Sequence, residues 1–137
     1  MSRVISTAMP VGEIATRKPI CVDRDTTILG ASNLMRIYQV GELVVTRQPN
    51  GILFPVRIIS AWDIVTRIIA TELDPTVLTA GDITWSGANG CKVTDTVSET
   101  LQLLQATRSN VLPVIDGDGG LAGVVSLDDL LWALAKT

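Results

Sequence analysis

Apolar residues fall into two alternating rhythms along this chain. From about residue 27 they recur at three-to-four spacing, so that Ile28, Ala31, Leu34, Met35 and Tyr38 share one face, which predicts a helix beginning near Thr27. Short apolar runs surround it: Pro19-Ile20-Cys21-Val22, then Glu42 to Arg47 and Leu53 to Ile59. These read as strands, the last two joined by the turn residues Gln48-Pro49-Asn50-Gly51. A further helix is expected from Ala61 to about Glu72, stopped by Asp74-Pro75.

The second half of the chain repeats this order. A displacement of 69 residues lays Val11-Gly12-Glu13-Ile14-Ala15 over Ala80-Gly81-Asp82-Ile83-Thr84, and Leu43-Val44-Val45 over Leu112-Pro113-Val114. A displacement of 66 lays Ile58-Ile59-Ser60-Ala61-Trp62-Asp63 over Val124-Val125-Ser126-Leu127-Asp128-Asp129, so the first copy carries a short insertion. Internal similarity of this length marks two units of one architecture. In the second copy Thr96-Val97-Ser98-Glu99 has the capping-box pattern, with Val97, Leu101 and Leu104 continuing the helical stripe. Strands follow at Val111 to Ile115 and Leu121 to Val125, around Asp116-Gly117-Asp118-Gly119-Gly120, and a last helix runs from Leu127 to about Lys136.

The last helix of each copy is apolar on more than one face: Ile64, Val65, Ile68, Ile69 and Leu73, then Leu130, Leu131, Trp132 and Leu134. Such a helix must be covered on several sides. Of the 137 residues 47% are hydrophobic and 18% charged, more apolar surface than a small monomer can hide, so self-association is expected, most simply as a homodimer. No apolar run approaches the length of a membrane helix, and Met1 to Ser6 lacks the apolar stretch of a signal peptide, which favours a cytoplasmic protein without membrane partners. A net charge of −3 with no basic cluster argues against nucleic acid. Cys21 and Cys91 form no disulfide framework, and the absence of histidine removes the usual general base and the commonest metal ligand. The composition points away from catalysis, and no metal site is expected.

Gly12-Glu13-Ile14-Ala15-Thr16-Arg17-Lys18-Pro19 is similar to the opening of the CBS-domain (cystathionine β-synthase motif) family. Asn110-Val111-Leu112-Pro113-Val114-Ile115-Asp116-Gly117, continuing into Gly123 to Leu130, resembles its closing pattern. The ordered set occurs twice and covers nearly the whole chain. The resemblance implies an α+β fold of two β-α-β-β-α CBS repeats packed sheet-to-sheet with pseudo-twofold symmetry, a Bateman module, with the first repeat in 1–74 and the second in 75–137. It implies clefts that hold AMP, ADP, ATP or S-adenosylmethionine, no required cofactor, and control of an effector protein in trans.

Ligand sites in the family carry apolar-x-Ser/Thr-x-x-Asp where the last strand turns into the last helix. Ile58, Ser60 and Asp63 match it in the first copy, and Val124, Ser126 and Asp129 in the second. The carboxylate can accept both hydroxyls of a ribose, and the serine can face a phosphate. Adenine is expected against the first strand of each copy, Ile20, Cys21 and Val22 or Cys91 to Val93. Arg57 stands where the second copy has Gly123, able either to crowd the cleft or to reach a phosphate. Trp62 and Arg67 flank the first motif, while Asp128 adds negative charge beside the second and disfavours a highly phosphorylated ligand there. Against all of this stands plain capping: Ser-x-x-Asp also starts helices that bind nothing.

Overall fold

Thr27 sets the start of the first long helix: its hydroxyl accepts the Gly30 N–H at 3.0 Å, as an N-cap should. The computed structural model describes residues 9–16, 18–83, 90–107 and 110–135. Met1 to Ser6, Arg17, Thr84 and Lys136, which the sequence reading used, lie outside them.

The chain forms two compact units, residues 20–87 and residues 1–19 with 88–137. In the first, β1 (Cys21–Val22) pairs parallel with β2 (Glu42–Arg47), which pairs antiparallel with β3 (Phe54–Ser60). Helix α1 (Ile28–Tyr38) links β1 to β2 and ends at Gln39 in the left-handed region. Helix α2 (Ala61–Ile64) follows β3 directly and continues as a π-helical turn, Val65–Ile69. Helix, sheet and the returning segment bury Ile28, Ala31, Met35, Leu43, Val45, Ile59, Ile68 and Ala80 as one core. Tyr38, assigned to the buried stripe from its spacing, is exposed: it is the last residue of α1, beyond the reach of the sheet.

The other unit repeats this plan with β4 (Cys91–Lys92), α3 (Val97–Thr107), β5 (Val111–Ile115), β6 (Leu121–Ser126) and α4 (Leu127–Ala135), again with a β1-β2-β3-like order. The capping box forms as its spacing predicts, Glu99 N–H to Thr96 Oγ1 at 3.0 Å and Thr96 N–H to Glu99 Oε1 at 2.9 Å. Its core joins Val97, Leu104, Leu112, Val114, Val125 and Leu130 to Val11.

That last residue shows how spatial units and sequence repeats differ. The opening residues of the first repeat complete the second: Val11 N–H bonds the Asp95 carbonyl at 2.7 Å, Gly12 N–H the Val93 carbonyl at 3.1 Å, and Val97 N–H the Met9 carbonyl at 2.9 Å. The other unit uses the same three bonds 69 positions on, Ala80 to Thr26, Gly81 to Arg24 and Ile28 to Leu78, made by the segment that leads into the second repeat. Each β-α-β-β-α body is therefore closed by a strap lying outside its own repeat.

Candidate functional site

Ser60 ends β3 and caps α2. Its Oγ accepts the Asp63 N–H at 3.0 Å and donates to Asp63 Oδ2 at 2.9 Å. The other carboxylate oxygen, Oδ1, lies 3.5 Å from Arg67 Nε, one turn further on, with the two side chains 26% and 41% exposed. Both oxygens of Asp63 are thus engaged within the protein. Trp62 beside it is 75% exposed and fills nothing in its own unit.

Strand register decides which other candidates join this motif. Ile58 pairs with Val44 and Ser60 with Glu42, while Cys21 pairs with Val44 from the other side, so Cys21, Ile58 and Ser60 share one sheet face. Arg57 pairs with Val45 and Ile59 with Leu43, on the opposite face, where Val22 also lies in the core. Arg57 Nη1 donates to the Ile83 carbonyl at 2.9 Å. It thereby braces the strap of its unit and is set apart from Ser60 and Asp63. Ile20 packs partly buried against the same core. Half-burial raises the Cys21 thiol pKa.

The second motif has the same residues in a different bonding state. Asp129 N–H donates to Ser126 Oγ at 2.9 Å, and Ser126 N–H donates to Asp129 Oδ2 at 2.9 Å, a closed reciprocal pair. Asp129 Oδ1 has no partner among the described residues. The position equivalent to Arg67 is Ala133. Val124 and Ser126 share a face with Pro113 and Val111. Cys91 does not join them: it is fully buried in the core, its Sγ 3.6 Å from the Pro113 carbonyl, so its side chain offers nothing to a ligand. Burial, helped by the Asp95 charge, pushes its thiol up to about 11. Val93 is half-buried and lines an open cavity of about 420 Å³ with Lys92, Thr94, Ile115 and Gly117, at the end of the sheet away from Ser126. A smaller one, about 310 Å³, lies between Arg24, Asp25, Thr79 and Asp82. Neither is lined by Ser60, Asp63, Ser126 or Asp129.

Two features escaped the sequence reading. Thr16 bridges the outer edge of β6: its N–H bonds the Val124 carbonyl at 2.8 Å, and the Val124 N–H bonds its carbonyl at 3.0 Å. Gly123 makes room, since a Cβ there would run into the Thr16 carbonyl. The contrast of Gly123 with Arg57 in the repeat is the signal that points to it. The second feature is the π turn that carries Arg67, for which spacing alone gives no sign.

Comparison with known proteins follows the repeat. The sequence model described as "CBS domain" matches residues 11–70 and again 80–136. The chain is 31% identical over 127 residues to an uncharacterized 17.7 kDa protein of Acidianus ambivalens, covering 93% of this chain and 74% of that one. It is 26% identical over 124 residues to the uncharacterized protein MK0525 of Methanopyrus kandleri, covering 90% of this chain and 62% of the relative, so it spans under two thirds of that protein's length. Among solved structures, an uncharacterized conserved protein from Pyrococcus horikoshii superposes with a TM-score of 0.81 at 26% identity, over 94% of both chains.

Proposed function

Because the chain belongs to the CBS-domain family, whose tandem pairs are regulatory or signal-transduction modules, we propose that it senses an adenosine-type ligand and signals to an effector protein in trans, without catalysis of its own. The ligands that fit this reading are AMP, ADP, ATP and S-adenosylmethionine. One observation carries it: among the described residues Asp129 keeps a carboxylate oxygen without a partner beside the Ser126 hydroxyl, where a ribose diol can donate. Capping alone requires the Ser126 hydroxyl and one oxygen of Asp129, and leaves the second oxygen to water. Cys21, Ile58, Ser60 and Asp63 form the corresponding set in the first copy.

A ligand that binds only the folded protein stabilises it by about 2.7 kcal/mol at a hundred times its Kd. Millimolar AMP, ADP, ATP or S-adenosylmethionine is therefore expected to raise Tm by several degrees, and Asp63→Ala combined with Asp129→Ala to abolish the rise. A Tm that none of the four compounds moves would remove this reading.

Exposed Trp62, Val65, Leu131 and Trp132 favour a second reading in which the same fold is a dimeric interaction scaffold. It predicts partner or self-association that is indifferent to every adenosine compound.

A further inference from the structure

The two Ser-x-x-Asp motifs are alike in sequence and different in chemistry. Asp63 is closed by Ser60 Oγ on one oxygen and by Arg67 on the other, at 2.9 and 3.5 Å. Among the described residues Asp129 is closed on one oxygen only, and Ala133 replaces the arginine. The helix carrying Arg67 departs from α-geometry where Arg67 sits, with Ala70 N–H bonded to the Val65 carbonyl and Leu73 N–H to the Ile68 carbonyl. Its counterpart α4 is α-helical throughout. π turns inside helices are frequent at functional positions.

We propose that Arg67 is a specificity-determining residue that makes the Asp63 motif select ligands bearing a phosphate, while the Asp129 motif takes the ribose diol whatever follows it. This rests on the adenosine-ligand reading above and adds the rule by which the two sites differ. The reason is an exchange of partners. A ribose diol that bonds both oxygens of Asp63 competes with the Arg67 guanidinium for Oδ1, and plain adenosine offers no anion in exchange. A phosphate on the same ligand can receive the displaced guanidinium through two parallel N–H···O bonds. Among the described residues Asp129 has no cation to displace, and Asp128 next to it opposes added negative charge.

The test is calorimetric titration of the full chain with AMP and with adenosine. In Asp129→Asn, which leaves the first motif as the remaining site, AMP is expected to bind at least tenfold tighter than adenosine. Arg67→Gln should weaken AMP about tenfold, the lower range for a charge-assisted hydrogen bond, and leave adenosine unchanged or tighter. Arg67→Lys should restore part of the AMP preference, since it keeps the charge but not the fork. In the reverse direction, Ala133→Arg should confer a phosphate preference on the second motif. If AMP and adenosine both bind but their ratio is the same in wild type, Arg67→Gln and Ala133→Arg, the role of Arg67 is overturned while the ligand reading stands. If neither compound binds any of these proteins, the role of Arg67 is overturned, and the ligand reading falls with it only where ADP, ATP and S-adenosylmethionine also leave Tm unmoved.

Discussion

Cys21 and Cys91 are one step out of register in the repeat, and that step decides their chemistry. Cys91 matches Val22, whose side chain lies in the core, whereas Cys21 matches Gly90 and shares a sheet face with Ile58 and Ser60. Burial raises both thiols, that of Cys91 from 9.0 to about 11. A thiol titrating near 11 is about one part in a thousand thiolate at pH 8, and the thiolate is the nucleophile. A maleimide at pH 8 is therefore expected to modify Cys21 before Cys91, which stays unmodified until the protein unfolds, as peptide mass mapping would show. Equal labelling of the two in folded protein would contradict this. The same shift links stability to alkali. The folded state holds the Cys91 proton more tightly than the unfolded chain, so its contribution is complete below pH 9 and is lost as pH rises from 9.0 toward about 11. Urea midpoints measured across that interval should fall more steeply for wild type than for Cys91→Ala. The burial of the Cys91 side chain was not legible in advance because apolar strand residues look alike until the register is known, and the register depends on pairing distant in sequence.

At the scale of elements, what the sequence made legible was whatever depends on near neighbours. Thr96 and Glu99 cap α3 as their spacing required, and the Glu99 carboxyl, held below its usual range by the Thr96 N–H, adds stability above its unfolded pKa that is lost as pH falls through its lowered folded value. Thr96→Ala should cost about 0.5–2 kcal/mol in urea denaturation, with no effect on ligand-induced Tm shifts. Strand starts and ends held to within a residue or two, Phe54–Ser60 against the expected Leu53 to Ile59. The strap could not be read in this way. Its bonds join Met9 to Val97 and Thr16 to Val124, and nothing in the local pattern of residues 9–16 announces a docking segment. Gly123 is the residue that tests it. A methyl group there meets the Thr16 carbonyl, and backbone cannot swing aside as a side-chain tip can. Gly123→Ala is expected to cost about 1–3 kcal/mol, typical of overpacking, and to speed hydrogen exchange at the Val124 and Thr16 amides specifically. Unchanged exchange at both amides would show that the strap tolerates the methyl group. The first copy carries Arg57 at this position and meets its strap through a side-chain bond to Ile83, so the two units have different solutions to the same closure.

Taken whole, the molecule has two buried cores and an apolar remainder outside them. Leu43, Ile59 and Ile68 close one core and Leu112, Val125 and Leu130 the other, each residue essentially free of solvent. The helices that complete these cores still present large apolar side chains outward: Trp62, Val65 and Ile69 from the first copy, Leu127, Leu131 and Trp132 from the second. The sequence announced this surplus, because a helix apolar on several faces has more to bury than one sheet can cover. What it left open was which residues remain outside, since that depends on where each helix rolls against its sheet. Val65 and Leu131 are equivalent in the repeat and are 55% and 64% exposed, so the same helical position is left uncovered twice. An apolar position conserved in its exposure between two copies that differ elsewhere is best explained by a common use, and association with a second chain is the simplest. A pair of such side chains withdrawn from water contributes about 1.5–3 kcal/mol each, enough to shift a micromolar dimer by one to two powers of ten per residue. Sedimentation velocity of the wild type should therefore report an assembly larger than the 14.6 kDa chain, and Val65→Glu with Leu131→Glu should return it to one chain while leaving the unfolding free energy, measured at dilutions where the wild type is also one chain, within about 0.5 kcal/mol, as expected of exposed substitutions. Wild type that sediments as a single chain at millimolar concentration would mean that this surface serves a different protein, and the effector would then be its first candidate.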